Sequence, residues 1–271
     1  MKHKDNYRLC YLISEKDRNS IIKKIKKTYD SRVTTYELRC DHLDCLKGKG
    51  DILLAIDTIN YVTSKFPRKK FIITIRTKTE GGNISLSKKR YATYISELYY
   101  GVKADYIDIE DRYYDAVKEL LADKKNKEKI RNKKHIKIIV SKHVFDKKFS
   151  IVKCENIIKR LIKKEADILK LAVRTEKLAD VCDYMKFARK YSAMIKAHRK
   201  DCIFIAMGKA GLISRIFPEY TNTKIVFLDT YNRNNSLKNN KLFQPNLRMF
   251  LRLHRVYAIN KFLNRSKCLA R

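Results

Sequence analysis

Lys170 stands in the run DILKLAV, Asp167 to Val173, between Ile168-Leu169 and Leu171-Ala172-Val173. Along a β-strand successive side chains alternate between faces, so Lys170 shares a face with Ile168 and Ala172 and opposes Leu169 and Leu171. An inward-facing lysine loses hydration, and neighbouring cations add to that effect; both favour the neutral amine that attacks a carbonyl. The same placement also suits a lysine paired with a buried carboxylate. His143 closes a second apolar run, Ile136 to His143. An imidazole there has the right ordinary pKa to move a proton beside a lysine imine, although strand-end histidines also serve as hydrogen-bonded structural residues. The other histidines have weaker settings: His3, His135, His198 and His254 fall near predicted helix or segment ends, and His42 in a loop.

Other polar residues gather at the ends of apolar runs. Glu37 and Arg39 are two apart and so share a strand face, and Arg76 and Glu80 follow on the next strand and its loop. Carboxylates and guanidinium groups so placed bind the hydroxyl and carboxylate groups of a small polar substrate, or form an ion-pair network among themselves. Asp41, Asp108, Glu110, Lys209, Ser214 and Arg215 complete the set. The EGGN segment, Glu80 to Asn83, weakly suggests a phosphate loop but has no Lys-Ser sequel and is read as a turn instead.

These residues need a scaffold that brings distant strand ends together. Eight short β-branched or apolar runs serve as predicted strands: 7–13, 34–40, 70–76, 104–110, 136–143, 167–173, 202–207 and 224–228. Amphipathic stretches alternate with them, the first opening at Ser14 as an expected N-cap, the seventh short near Leu212 to Phe217, and the last long over 246–263. Eight βα units without a break in composition predict one (β/α)8 barrel over residues 1–271, whose chemistry sits where strands run into the following loops. A doubly wound open sheet is the alternative, but no G-x-G-x-x-G turn follows the first strand.

Composition narrows the class further. The chain has 271 residues, 44% of them hydrophobic, with only 7 Gly and 3 Pro, which suits a regular globular core. Its net charge of +34 invites a nucleic-acid or polyanion reading. The basic residues are spread over nearly every segment without an accompanying binding motif, so specific nucleic-acid binding is not expected. The densest run, Asp123 to Lys134, is read as a polar helix end and loop. Seven scattered cysteines with no C-x-x-C pair favour reduced thiols, and neither a signal-peptide core nor a long apolar run occurs, so a cytoplasmic protein without a membrane span is expected.

The segments YELRCDHL, ITIRTKTEGG, DYIDIE, IIVSKHVF, ADILKLAV and IAMGKAGLISRI, in that order and spacing, resemble the motifs of type I 3-dehydroquinate dehydratase, the Schiff-base enzyme of the shikimate pathway. The resemblance runs from about Tyr7 to Ile216. It implies a (β/α)8 barrel, a homodimer, no metal or organic cofactor, and hydro-lyase activity on 3-dehydroquinate in aromatic amino acid biosynthesis. By the same resemblance Lys170 forms the imine, His143 is the general acid/base, Glu80 orients it, Arg215 holds the substrate carboxylate, and Glu37, Arg39 and Arg76 position the substrate.

The chain departs from that pattern at Val144, at Leu169 before the lysine, and after the eighth strand, where the family's Ser-Ala-Pro-Gly-Gln lid is absent. Residues 229–245 form a divergent lid region in which Ser236 and Gln244 are candidate replacements. Two other functions stay open at this level: a barrel with altered substrate preference or little activity, and a basic nucleic-acid or polyanion binder.

Overall fold

The computed structural model describes residues 7–48, 50–123, 135–230 and 243–256. Eight strands form its sheet: β1 (Arg8–Ile13), β2 (Val33–Arg39), β3 (Lys70–Thr74), β4 (Tyr106–Glu110), β5 (Lys137–Val144), β6 (Ile168–Arg174), β7 (Asp201–Met207) and β8 (Ile225–Leu228). Every predicted strand is present, with ends displaced by no more than two residues. All pairings are parallel, from β7 in sequence order back to β1, which then pairs with β8. The β7–β8 seam is narrower: Cys202 bridges to Thr223, and the Lys224 amide donates to the Cys202 carbonyl at 2.8 Å. The result is a nearly closed (β/α)8 barrel.

Helices occupy the predicted gaps, and local chemistry sets their ends. The first runs Arg18–Lys27 and is capped by Asp17, not by Ser14 as expected. The Asp17 carboxylate accepts from the Asn19 and Ser20 amides at 2.9 Å each, and the Ser20 hydroxyl accepts from the Asp17 amide. A carboxylate satisfies two otherwise unpaired amides and also faces the positive end of the helix dipole, advantages that upstream Ser14 lacks. Ser87 and Ser150 cap the helices Lys88–Gly101 and Ile151–Ile162 in the same way. The helix after β7 is five residues long, Leu212–Ile216. The final helix covers 247–256 of its expected stretch, and the rest of that stretch, like residues 124–134 of the basic run, lies outside the described residues.

Alternation along the strands divides the core into two layers. Outward residues such as Leu169, Leu171 and Phe204 pack against the helices with Tyr184 and Phe187. Inward residues such as Ile72, Tyr106, Ile139, Ile168, Ile203 and Ile225 fill the lumen. Each such side chain stabilises the fold by roughly 1.5–3 kcal/mol when fully buried. Above this apolar plug the lumen turns polar, with Glu37, Thr74, Arg76, Asp108, Ser141 and Lys170 all buried. The six cysteines among the described residues are free thiols. No helix among the described residues is long and apolar enough to cross a membrane.

Candidate active site

Lys170 lies inward on β6, level with Ser141 of β5 and Ile203 of β7, and is 4% exposed. Its Nζ is 3.0 Å from Asp108 Oδ2 and 3.6 Å from Glu37 Oε1, and it sits 4.4 Å from the centre of the Phe227 ring. The charged groups in contact with it are therefore carboxylates, the second of the two settings that its sequence position suits, and not neighbouring cations. β2 and β4 each turn an acid into the lumen at the height of the lysine, a match between strands that no local pattern reveals. Glu37 is itself fixed by the Thr74 hydroxyl, which donates at 2.8 Å.

Asp108 joins the lysine to the rest of the site. Its Oδ1 accepts from the Ser141 hydroxyl at 2.5 Å and from Arg76 Nη2 at 2.8 Å. Burial alone would raise its pKa, but Arg76 and Lys170 outweigh burial and hold it well below the usual carboxylate range. Arg76 Nη1 donates to Ser141 Oγ at 2.9 Å and lies 3.6 Å from both Glu80 and Glu110. Burial works against its charge, yet Asp108, Glu110 and Glu80 together hold the guanidinium protonated. Glu110 is pushed up by burial and accepts from the Thr77 amide and hydroxyl at 2.7 and 2.8 Å.

His143, at the mouth end of β5, meets Glu80 from the turn after β3. Its Nδ1 is 3.0 Å from Glu80 Oε2, and its backbone amide donates to the same oxygen at 3.1 Å. Burial, then Arg76 and Lys170, push the imidazole down to about 3 despite the carboxylate, so the ring is neutral near pH 7. Burial raises Glu80, but the hydrogen bond from His143 and the charge of Arg76, with Lys142, bring it down to about 2. An ionised, acceptor-only carboxylate selects the Nδ1–H tautomer and leaves Nε2 free to take a proton. Phe145 stacks beside the ring, centroids 6.5 Å apart and planes 16° from parallel.

The EGGN turn has a steric explanation. Gly81 adopts φ +80°, and a Cβ on Gly82 would lie 1.9 Å from the Arg76 carbonyl oxygen. Two glycines thus let the turn fold back tightly enough for Glu80 to reach both Arg76 and His143. Asp41 anchors this turn from the 3-10 turn that follows β2: it holds Arg39 through two 2.8 Å bonds and accepts from the Arg76 and Asn83 amides at 3.2 and 3.0 Å.

These groups open into a cavity of about 110 Å³. The predicted Lys170, His143, Glu80, Glu37, Arg39, Arg76, Arg215 and Gln244 all line it; Ser236 lies outside the described residues. Arg215 enters from the short helix after β7, and burial pushes its pKa down to about 10. Ser214, its neighbour in the sequence reading, instead locks that turn, accepting from the Ala206 amide and donating to the Gly211 carbonyl. Lys209 is exposed. Gln244 lines the cavity next to Pro245, whose carbonyl accepts from the Asp229 amide at 3.0 Å. The sequence reading placed Asp108 among the strand-end polar groups without a specific role, as the alternation of Tyr106, Asp108 and Glu110 allows, and did not single out Ser141 or Lys142. Among the described residues, no group of three or more His, Cys, Asp or Glu side chains is arranged to hold a metal ion.

A family model for type I 3-dehydroquinase matches residues 9–235. The chain belongs to the type I 3-dehydroquinase family. The 3-dehydroquinate dehydratase of Streptococcus sanguinis strain SK36 is 26% identical over 208 residues, spanning 76% of this chain and 84% of that protein. The 3-dehydroquinate dehydratase of Lactococcus lactis subsp. cremoris strain SK11 is 31% identical over 179 residues, 64% of this chain and 70% of that protein. In fold, the chain matches the Geobacillus kaustophilus 3-dehydroquinate dehydratase with a TM-score of 0.74 at 17% identity, covering 93% of this chain and 91% of that one. It matches the Clostridium difficile type I enzyme, solved with covalently modified comenic acid, with a TM-score of 0.73 at 23% identity, covering 93% and 92%. The type I 3-dehydroquinase match includes the strands and turns that carry Glu37, Glu80, His143, Lys170 and Arg215, and ends at residue 235. Gln244 therefore reaches the cavity from beyond the matched segment.

Proposed function

We propose that this 3-dehydroquinase converts 3-dehydroquinate to 3-dehydroshikimate and water through a Schiff base on Lys170, acting as a hydro-lyase of the shikimate pathway. The observation that carries the assignment of roles is that a buried lysine, a neutral histidine held by an ionised carboxylate, and a buried arginine line one cavity. The Lys170 amine adds to the ring ketone, and loss of water gives a protonated imine. His143 takes the proton from the adjacent carbon, and the C–H electron pair moves into the imine, which serves as the electron sink. The resulting enamine expels the β-hydroxyl, which leaves as water with the proton that His143 returns. Hydrolysis of the imine then restores Lys170.

The remaining groups bind and orient. Arg215 pairs with the substrate carboxylate, while Glu37 and Arg39 engage ring hydroxyls. Arg76 acts through Asp108 and Glu80, since its recorded partners are Asp108, Glu80, Glu110 and Ser141. Of the expected lid region 229–245, residues 231–242 lie outside the described residues; the placement of Gln244 at the cavity supports a lid role for its far end. We also read the chain as one barrel domain acting in the cytoplasm as a homodimer, a state that light scattering in solution tests directly.

Incubation with 3-dehydroquinate tests the central claim. The expected result is an enone absorbance from the product and, with borohydride, a mass adduct on the Lys170 peptide. An adduct without product favours a barrel of altered specificity; the absence of both signals overturns the assignment.

A further inference from the structure

Glu80 is gripped through both of its oxygens by consecutive residues of β5. His143 holds Oε2 through its ring and its amide, and Lys142 Nζ lies 2.8 Å from Oε1. Alternation puts Lys142 on the other side of the strand from His143, level with outward-facing Leu171, so the two reach one carboxylate from opposite sides. The Lys142 side chain is 26% exposed, whereas Glu80 is buried.

We propose that Lys142 is a positioning residue of the acid/base pair, taking one oxygen of Glu80 so that the carboxylate holds the His143 ring in place without making it a strong base.

The charged groups around His143 come from every neighbouring element: Arg76 from just past the end of β3, Glu80 from the turn that follows, Asp108 from β4, Lys170 from β6 and Lys142 from β5 itself. Glu110 also acts on Glu80. Of these, Lys142 is the cation whose contact is with Glu80 Oε1, the oxygen opposite the one that meets the ring. A carboxylate given wholly to the imidazole would stabilise its protonated form and leave it unable to remove a proton under mildly acidic conditions. A lysine on the far oxygen draws that charge away and also fixes the carboxylate plane. Lys142 thus acts through Glu80 and is not among the residues that line the cavity.

The test uses Lys142→Gln, with Lys142→Met to keep most of the aliphatic stem and Lys142→Arg to keep the charge. The His143 ring is titrated by NMR without substrate, and kcat/KM for 3-dehydroquinate is measured against pH. With Gln or Met, the ring midpoint is expected to rise by roughly 0.5–1 unit, a shift moderated by partial exposure of the pair. The acid limb of kcat/KM moves up with it, and Arg restores both. Equal midpoints in folded wild-type and Lys142→Gln protein, or rings neutral in both down to acid unfolding, overturn the proposal. The activity arm rests on the dehydratase reading; if the wild type does not turn over 3-dehydroquinate, that reading fails while the ring titration still decides the role of Lys142.

Discussion

Lys170 Nζ lies 3.0 Å from Asp108 Oδ2, and the other oxygen of the same carboxylate takes Arg76 at 2.8 Å. One buried anion thus serves two buried cations. Removing the anion leaves Arg76 and Lys170 facing each other with less compensation, so Asp108→Asn is expected to destabilise the fold by about 3–5 kcal/mol. Lys170→Met substitutes an apolar stem of similar length and leaves Asp108 with Arg76 and Ser141. It is expected to cost less than half as much while lowering turnover by at least about 1,000-fold through loss of the proposed nucleophile. Urea unfolding of both variants, with steady-state rates, checks the order; equal destabilisation by the two would contradict it.

Acid should weaken the fold through the Glu80–His143 pair. In the fold, burial with Arg76 and Lys170 pushes His143 from an ordinary 6.5 down to about 3, and His143, Arg76 and Lys142 outweigh burial and bring Glu80 from 4.5 down to about 2. As pH falls from about 6.5, the unfolded chain takes up protons at these groups that the fold refuses. Their stabilisation is complete above that pH and is lost progressively toward pH 2. Urea midpoints measured against pH should fall less steeply between pH 6.5 and 4.5 in His143→Asn than in the wild type.

Gly82→Ala places a Cβ 1.9 Å from the Arg76 carbonyl oxygen, a backbone clash that side-chain rotation cannot relieve. The turn must open, and Glu80 moves with it. A loss of about 2 kcal/mol or more in stability is expected, with kcat falling because His143 loses its partner. Thermal unfolding together with kcat measures both; a variant with wild-type kcat would show that the turn does not set the Glu80 position.

Arg215→Gln should raise KM for 3-dehydroquinate by roughly 10–100-fold, the loss of a charge-assisted contact to the carboxylate, with a smaller change in kcat. Borohydride trapping at saturating substrate should still label Lys170. A fall in kcat at unchanged KM would place Arg215 in the chemical step.

Much of this molecule is legible in its sequence because strand alternation is a local property. The period-two pattern identified all eight strands and turned Lys170 inward with Ile168 and Ala172, both of which the structure places in the lumen. The paired glycines of EGGN were readable as a turn, though what they make room for was not. Ser14 was a reasonable cap by composition, but Asp17 wins because its carboxylate satisfies two amides at once.

The surroundings of Lys170 were decided only by tertiary structure. Its contacts, Asp108 and Glu37, come from strands 62 positions and more than 100 positions away, brought to one height by the stagger of parallel strands. Sequence determined which groups face inward; barrel closure determined which of them touch. Of the two settings its sequence position suits, among cations or beside a carboxylate, Lys170 has the second, and the cationic influence falls on His143, where burial, then Arg76 and Lys170, keep the imidazole neutral.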